Sequence, residues 1–133
     1  MAFLYLLSTA TIARILWTSI SLFLNYQVAR KLALPIVISP LSALNPLWML
    51  ALKLLPVLPR FLQMLPYGLG KWARCTYIGW TFQDKCALHD ELGLVFVLVT
   101  PSGNELWVAD PNTAHIVLSK RKEYTKPTDM YSK

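Results

Sequence analysis

The stretch GLVFVLVTPSGNELWVADPNTAHIVLSKRKEYTKPTDMY, from Gly93 to Tyr131, decides the fold. Val95 to Thr100 and Glu105 to Ala109 are β-branched or apolar runs. Pro101, Ser102, Gly103 and Asn104 between them carry the chemistry of a four-residue hairpin loop. Asp110 then caps a helix. Its carboxylate can accept the free N–H groups of the first turn, and Pro111 at the first helical position lacks only a donor that would be unpaired there. Ala114, Val117 and Leu118 give this helix an apolar face, and Lys120, Arg121 and Lys122 complement its carbonyl end. Because Val95 to Thr100 is apolar on both faces, it reads as a strand covered on both sides, while a lone hairpin leaves its edges unpaired. The covering elements are expected to lie outside this sequence.

Working upstream, Tyr77 to Leu92 reads as one helix stopped by Gly93. Ile78, Phe82, Cys86, Leu88 and Leu92 fall on an apolar arc, with Gln83, Asp84, Asp90 and Glu91 opposite. His89 and His115 read as packed or surface histidines. Cys75 and Cys86 read as reduced thiols, and no C-x-x-C or H-x-x-x-H spacing supports a zinc site.

The order of helix, hairpin, capped helix and basic exit resembles the cytochrome P-450 haem-thiolate monooxygenases, and most of all their membrane-bound fungal branch. The residues that carry the likeness are His89, Asp90, Glu91, Leu92 and Gly93 before the hairpin and Lys126, Pro127, Asp129, Met130 and Tyr131 after it. The likeness covers about residues 39 to 131 and is most specific from Trp80 onward. It implies an α+β chain: an N-terminal transmembrane helix, then the first helix, β-hairpin and second helix of an incomplete cytochrome P-450 fold. It further implies haem in the full-length family, O₂ activation, an NADPH-dependent reductase as electron donor, and an apolar, secondary-metabolite type of substrate. The family holds haem through a cysteine in an F-x-x-G-x-R-x-C-x-G loop, whose buried thiolate drives O–O cleavage. Cys75 follows Lys71 and Ala73 where that loop needs Gly and Arg, and Cys86 follows Phe82 and Asp84. The family's E-x-x-R pair is missing too, since Leu94, Val108 and Lys126 stand three residues after Glu91, Glu105 and Glu123. The expectation is therefore no catalytic, cofactor-binding or metal residue in this chain, no haem held by it as written, and no activity on its own. Other expectations are a truncated gene product, or a non-catalytic membrane protein docked on the reductase or a full-length relative. Tyr131 is the nearest residue to a substrate loop.

The first residues say where such a chain resides. Met1 to Leu24 is apolar and long enough to cross a hydrocarbon core of about 30 Å. Phe3, Leu6, Leu7, Ile12, Ile15, Leu16, Trp17, Ile20, Leu22 and Phe23 are the anchoring side chains expected to meet lipid. Arg14 opposes insertion by roughly 2.5 to 3.5 kcal/mol at the membrane centre, against roughly 0.3 to 0.6 kcal/mol returned by each Leu, Ile, Phe or Val. Eleven such residues outweigh it. Arg30 and Lys31 directly follow the span, so a single-pass chain with its body facing the cytoplasm is expected, with the endoplasmic reticulum as the family's membrane. A cleaved secretory signal is the rival reading, but it lacks a basic leading region and a small-x-small cleavage site.

Charge separates the two halves. Residues 1 to 74 carry seven Lys or Arg and no acid, whereas residues 75 to 133 carry six basic and seven acidic side chains. The surplus lies in the hydrophobic half and between apolar runs, which suits anionic lipid rather than nucleic acid. Prolines at 35, 40, 46, 56, 59 and 66 rule out an unbroken second span between them. That segment is expected to lie on the bilayer, with a short helix over Leu47 to Leu55 and Lys53 at the headgroups, or to cover a catalytic body as a linker. The organisation expected is an anchor over 1–25, a proline-rich basic membrane-proximal segment over 26–74, and the start of a monooxygenase domain over 75–133. No G-x-S-x-G elbow, phosphate loop or dinucleotide fingerprint is present.

Overall fold

The computed structural model describes residues 1–43, 45–66, 70–76, 79–80 and 86–120. Helix α1 runs Ala2–Arg30. No Gly or Pro interrupts residues 2–30, and their hydroxyls bond back into the helix. Thr9 Oγ1 donates to the Tyr5 carbonyl, Thr11 to Leu7, Thr18 to Arg14 and Ser19 to Ile15. The helix ends where Ala33 takes a left-handed conformation, with φ at 52°, just before Pro35.

The chain then enters strand β1, Ile36–Ile38, and passes through helices α2 (Pro46–Leu54), α3 (Leu58–Gln63), α4 (Lys71–Cys75) and α5 (Ala87–Leu92). Strands β2 (Val95–Thr100) and β3 (Gly103–Val108) and helix α6 (Pro111–Ser119) complete the described chain. The sheet has the order β1-β2-β3. β1 lies parallel to β2, with Val37 opposite Leu98, and β3 lies antiparallel, with Phe96 opposite Trp107.

β2 is the centre of the body, and this chain itself covers it. Phe96 and Leu98 point to one face, where Val37, Cys75, Trp80 and Leu88 pack around them. Val97 and Val99 point to the other, against Ala29 of α1 and the half-buried Leu22, Tyr26, Leu34 and Ile36. The expectation that the covering elements lie outside the sequence is therefore corrected. Ile36–Ile38 supplies a third strand, and the last turns of α1 supply one layer. A three-residue strand between prolines is too short to show a period of two, which is why it was invisible by pattern.

Two other boundaries move, and one helix face narrows. The hairpin turns on Pro101 and Ser102 alone, with Thr100 opposite Gly103, so β3 starts two residues earlier than its apolar run. Proline fixes φ near −65°, which keeps this turn out of the type I′ and II′ forms usual for two-residue loops. Thr100 Oγ1 stabilises it instead, donating to the Gly103 carbonyl at 2.8 Å. The helix expected over Tyr77 to Leu92 is not continuous, because Gly79 has φ of 84°, and its described regular part is Ala87–Leu92. Leu88 is buried there and Leu92 half-buried, but Cys86 is exposed, while Ile78, Phe82, Gln83 and Asp84 lie outside the described residues. In α6, Ala114 and Val117 are half-buried but Leu118 is exposed, because the helix rests on its body by a narrower face than its composition suggests. Arg121, Lys122 and residues 124–131 also lie outside the described residues.

Two contacts fix the smaller helices. Trp48 of α2 packs against Trp72 at 5.2 Å between ring centroids and donates its indole N–H to the Thr76 carbonyl. Gly70 lies so close to α3 that a Cβ there would stand 1.7 Å from the Leu62 carbonyl oxygen. Gly70→Ala is therefore expected to cost about 1 to 3 kcal/mol through forced separation of α3 and α4. An unfolding midpoint equal to that of the parent chain would refute this packing.

Between α4 and α5, Arg74 donates to Glu91 Oε1 at 2.8 Å and Lys71 Nζ lies 3.3 Å from Oε2. The Arg74 hydrogen bond above all holds the Glu91 carboxyl below the usual carboxylate range. A depressed folded-state value stabilises above the unfolded pKa and is lost as pH falls through the folded one. The group is exposed, so Glu91→Gln should cost less than about 1 kcal/mol at neutral pH. The difference between the two chains should be full above the ordinary glutamate value of about 4.3 and shrink as pH falls below it through the lower folded-state value. Thermal unfolding across this range checks it, and a gap that widens in acid would refute the assignment.

Candidate functional site: the exposed apolar surface

The expected anchoring residues separate along α1 by what they touch. Phe3, Leu6, Leu7, Ile12, Ile15, Leu16, Trp17, Ile20 and Phe23 are all exposed, Phe3 and Trp17 by 75% each. Leu22 is not among them, because it packs against the Val97 and Val99 side of the sheet. The helix therefore has two parts. Its first 20 residues or so rise about 30 Å free of the sheet at about 1.5 Å per residue, and its last turns belong to the protein core. The 28-residue segment Phe3–Arg30 is long and apolar enough to cross a membrane.

The joint between these parts is polar. Asn25 Nδ2 donates to the Thr100 carbonyl at 2.8 Å, and Asn104 Nδ2 donates back to the Asn25 carbonyl at 2.9 Å. This reciprocal pair ties α1 to the hairpin turn and sets the angle at which the free segment leaves the body. Residue 25, the expected end of the anchor, lies inside α1 at this joint. Arg30 and Lys31 are exposed at the helix end, where a cation also complements the exposed carbonyls. Sequence reasoning missed Asn25. An Asn at the end of an apolar run was the available signal, but its partners lie 75 and 79 residues away.

Helices α2 and α3 add to the apolar surface. Asn45 caps α2, its side-chain oxygen accepting from the Leu47 and Trp48 backbone N–H groups, and Pro46 starts it. The helix buries Trp48 but exposes Leu47, Leu50 and Leu54, and Phe61 and Met64 continue outward from α3. Lys53 is exposed beside them. The short helix expected over Leu47 to Leu55 is thus Pro46–Leu54. An open cleft of about 880 Å³ separates α1 from α2, with Arg14, Trp48 and Ser102 among its lining residues.

Of the two cysteines, Cys75 is enclosed by the core. Cys75 is 1% exposed among Val37, Trp80, Leu88, Phe96 and Leu98, and its thiol points to the Lys71 carbonyl. That packing leaves no face for a flat macrocycle. Cys86 is free and exposed, and neither lines the cleft. Among the described residues no group of three His, Cys, Asp or Glu converges on a metal position. His89 lies 5.1 Å from Phe96 between ring centroids, tilted by 52°, and contacts the Gly93 carbonyl through Nδ1, while His115 is exposed.

Similarity over nearly the whole of this architecture settles the ancestry. A cytochrome P450 monooxygenase of Penicillium roqueforti, ORF6, is 32% identical over 125 residues, covering 86% of this chain and 21% of its own length. The chain belongs to the cytochrome P450 monooxygenase family. A second P450, prx9 of Penicillium rubens, is 30% identical over the same shares, and one of Arthrobotrys oligospora is 27% identical over 113 residues. The chain spans about a fifth of the length of these P450 relatives. No protein-family profile matches it, and no solved structure does. The P450 relationship thus rests on sequence, and the structure shows a mixed helical and sheet body behind one helix able to cross a membrane.

Proposed function

We propose that these residues are the membrane anchor and founding sheet of a haem-thiolate monooxygenase that oxidises an apolar, secondary-metabolite type of substrate with O₂. The observation that carries this reading is the P450 similarity running through 86% of the chain. In that reading 1–25 insert in the bilayer, 26–74 rest against it, and 75–133 begin the monooxygenase domain. Haem, the thiolate that binds it and the surface for an NADPH-dependent reductase belong to other residues than these. Arg30 and Lys31 hold the body on the cytoplasmic side of the endoplasmic reticulum, since Lys and Arg after a span resist translocation.

Two measurements test it. The 133-residue chain, supplied with haem and reduced under carbon monoxide, should give no thiolate Soret band; such a band would place a haem ligand at Cys75 or Cys86 and defeat the assignment. A glycosylation acceptor introduced after Lys133 should remain unmodified in microsomes, and its modification would reverse the orientation.

A specific observation favours a second role beside the first. Strand β3 is an outer strand of the described sheet, and Leu106 on it is half exposed. An open strand edge of this kind suits docking of further polypeptide there. A full-length relative or the reductase would be captured stoichiometrically from detergent-solubilised membranes, and a chain recovered alone would dismiss this second role.

A further inference from the structure

The cleft between α1 and α2 has a composition that membrane anchoring alone does not explain. Its walls are apolar, with Leu22, Leu41, Leu47, Trp48 and Ala51 among them, and Arg14 is the single charged side chain among its described lining residues. Residues 1 to 74 contain no Asp or Glu, so no acid nearby in sequence balances that cation. Neighbouring hydroxyls do not compensate, because Thr18 and Ser19, whose O–H groups donate to carbonyls of their own helix, can accept from a guanidinium but carry no negative charge to balance it.

Position sharpens the problem. α1 joins the sheet at Leu22, and Arg14 lies eight residues earlier, about 12 Å further along the helix axis at about 1.5 Å per residue. In the anchored chain that is hydrocarbon depth, where an Arg must reach polar surroundings or pair. The cleft opens between Arg14 and the body, and Ser42, Asn45 and Ser102 lie along its lining. A guanidinium directed there meets a space that can admit an anion from the headgroup side.

We propose that this cleft binds one anionic phospholipid, its phosphate paired with Arg14 and its upper acyl segments against Leu47, Trp48 and Ala51. The inference rests on the anchor reading above. A volume of about 880 Å³ suits a headgroup with part of its chains, and the exposed Leu47, Leu50 and Leu54 of α2 lead from the cleft toward the bilayer. A free phosphate ion would leave those apolar walls without a partner.

The 133-residue chain is reconstituted in nanodiscs of equal phosphatidylcholine and phosphatidylinositol, released into mild detergent and weighed with its retained lipids by native mass spectrometry. One phosphatidylinositol per chain is expected, favoured about fivefold over phosphatidylcholine, the order of effect of one basic residue at a headgroup. Arg14→Gln should abolish the preference while the chain still sediments with membranes. Ala51→Trp, which fills the cleft and keeps the cation, should also lower retention. Retention of the preference in both variants, or displacement of the lipid by millimolar inorganic phosphate, overturns the proposal. A parent chain that sediments with membranes but retains the two lipids equally defeats the lipid site alone, whereas one that stays in solution defeats the anchor reading and this site with it.

Discussion

Replacing Ile12 and Leu16 together by aspartate should release the chain from the membrane fraction. Each Asp near the centre of a span costs roughly 2.5 to 3.5 kcal/mol on the insertion scale, and each lost Ile or Leu forfeits a further 0.3 to 0.6 kcal/mol. The combined swing of about 6 to 8 kcal/mol exceeds what the remaining apolar residues of α1 return after Arg14 is counted. Both side chains are more than half exposed and neither lines the cleft, so the sheet should be untouched. Alkaline carbonate extraction reads the effect. A doubly substituted chain that still sediments as the parent does would show that α2 and α3, not α1, hold it on the bilayer.

The second large effect lies at the centre of the sheet. Phe96→Ala should destabilise the body by about 3 to 5 kcal/mol, the usual cost of deleting a buried aromatic ring. Phe96 is fully buried, against His89 and within the cluster of Val37, Cys75, Trp80, Leu88 and Leu98. A body this small has little stability to lose, so the variant should be largely unfolded at temperatures where the parent is folded. Leu118→Ala is the comparison, since Leu118 is 67% exposed and its loss should be nearly neutral. Emission from Trp80 and Trp107 during urea unfolding in detergent follows the relevant core. Equal midpoints for the Phe96 variant and the parent would mean that this chain does not assemble the core around β2.

That second experiment bears on the largest departure from the linear reading. The apolar run Val95–Thr100 announced a strand covered on both faces, and the structure supplies the cover from Ala29 on one side and Val37, Cys75 and Leu88 on the other. Ile36, Val37 and Ile38 were legible only as part of a proline-rich segment. A parallel neighbour separated by some sixty residues leaves no local signal, because its register is chosen by the groups across the ladder rather than by its own spacing. The prolines marked breaks correctly but did not show that the chain between them turns inward at Trp48.

The anchoring surface divides in the same way. Nine of the expected lipid-facing side chains are exposed, since a helix with apolar residues on every side has no apolar face to choose and composition alone describes it. Leu22 differs from them only by what stands beside it.

The amino-acid order by itself determined the apolar helix, the β2-β3 hairpin, the Asp110 cap and the P450 likeness, because each is carried by neighbours within a few residues or by family motifs. Asp110 illustrates this. Its side chain accepts from Thr113, which holds the carboxyl below its usual range, a contact written into four consecutive positions. Tertiary structure alone decided the third strand, the joint at Asn25 and Asn104, and the cleft beside Arg14. Each of these is made by groups tens of residues apart, and its free energy exists only once the backbone has brought them within a few ångströms of one another.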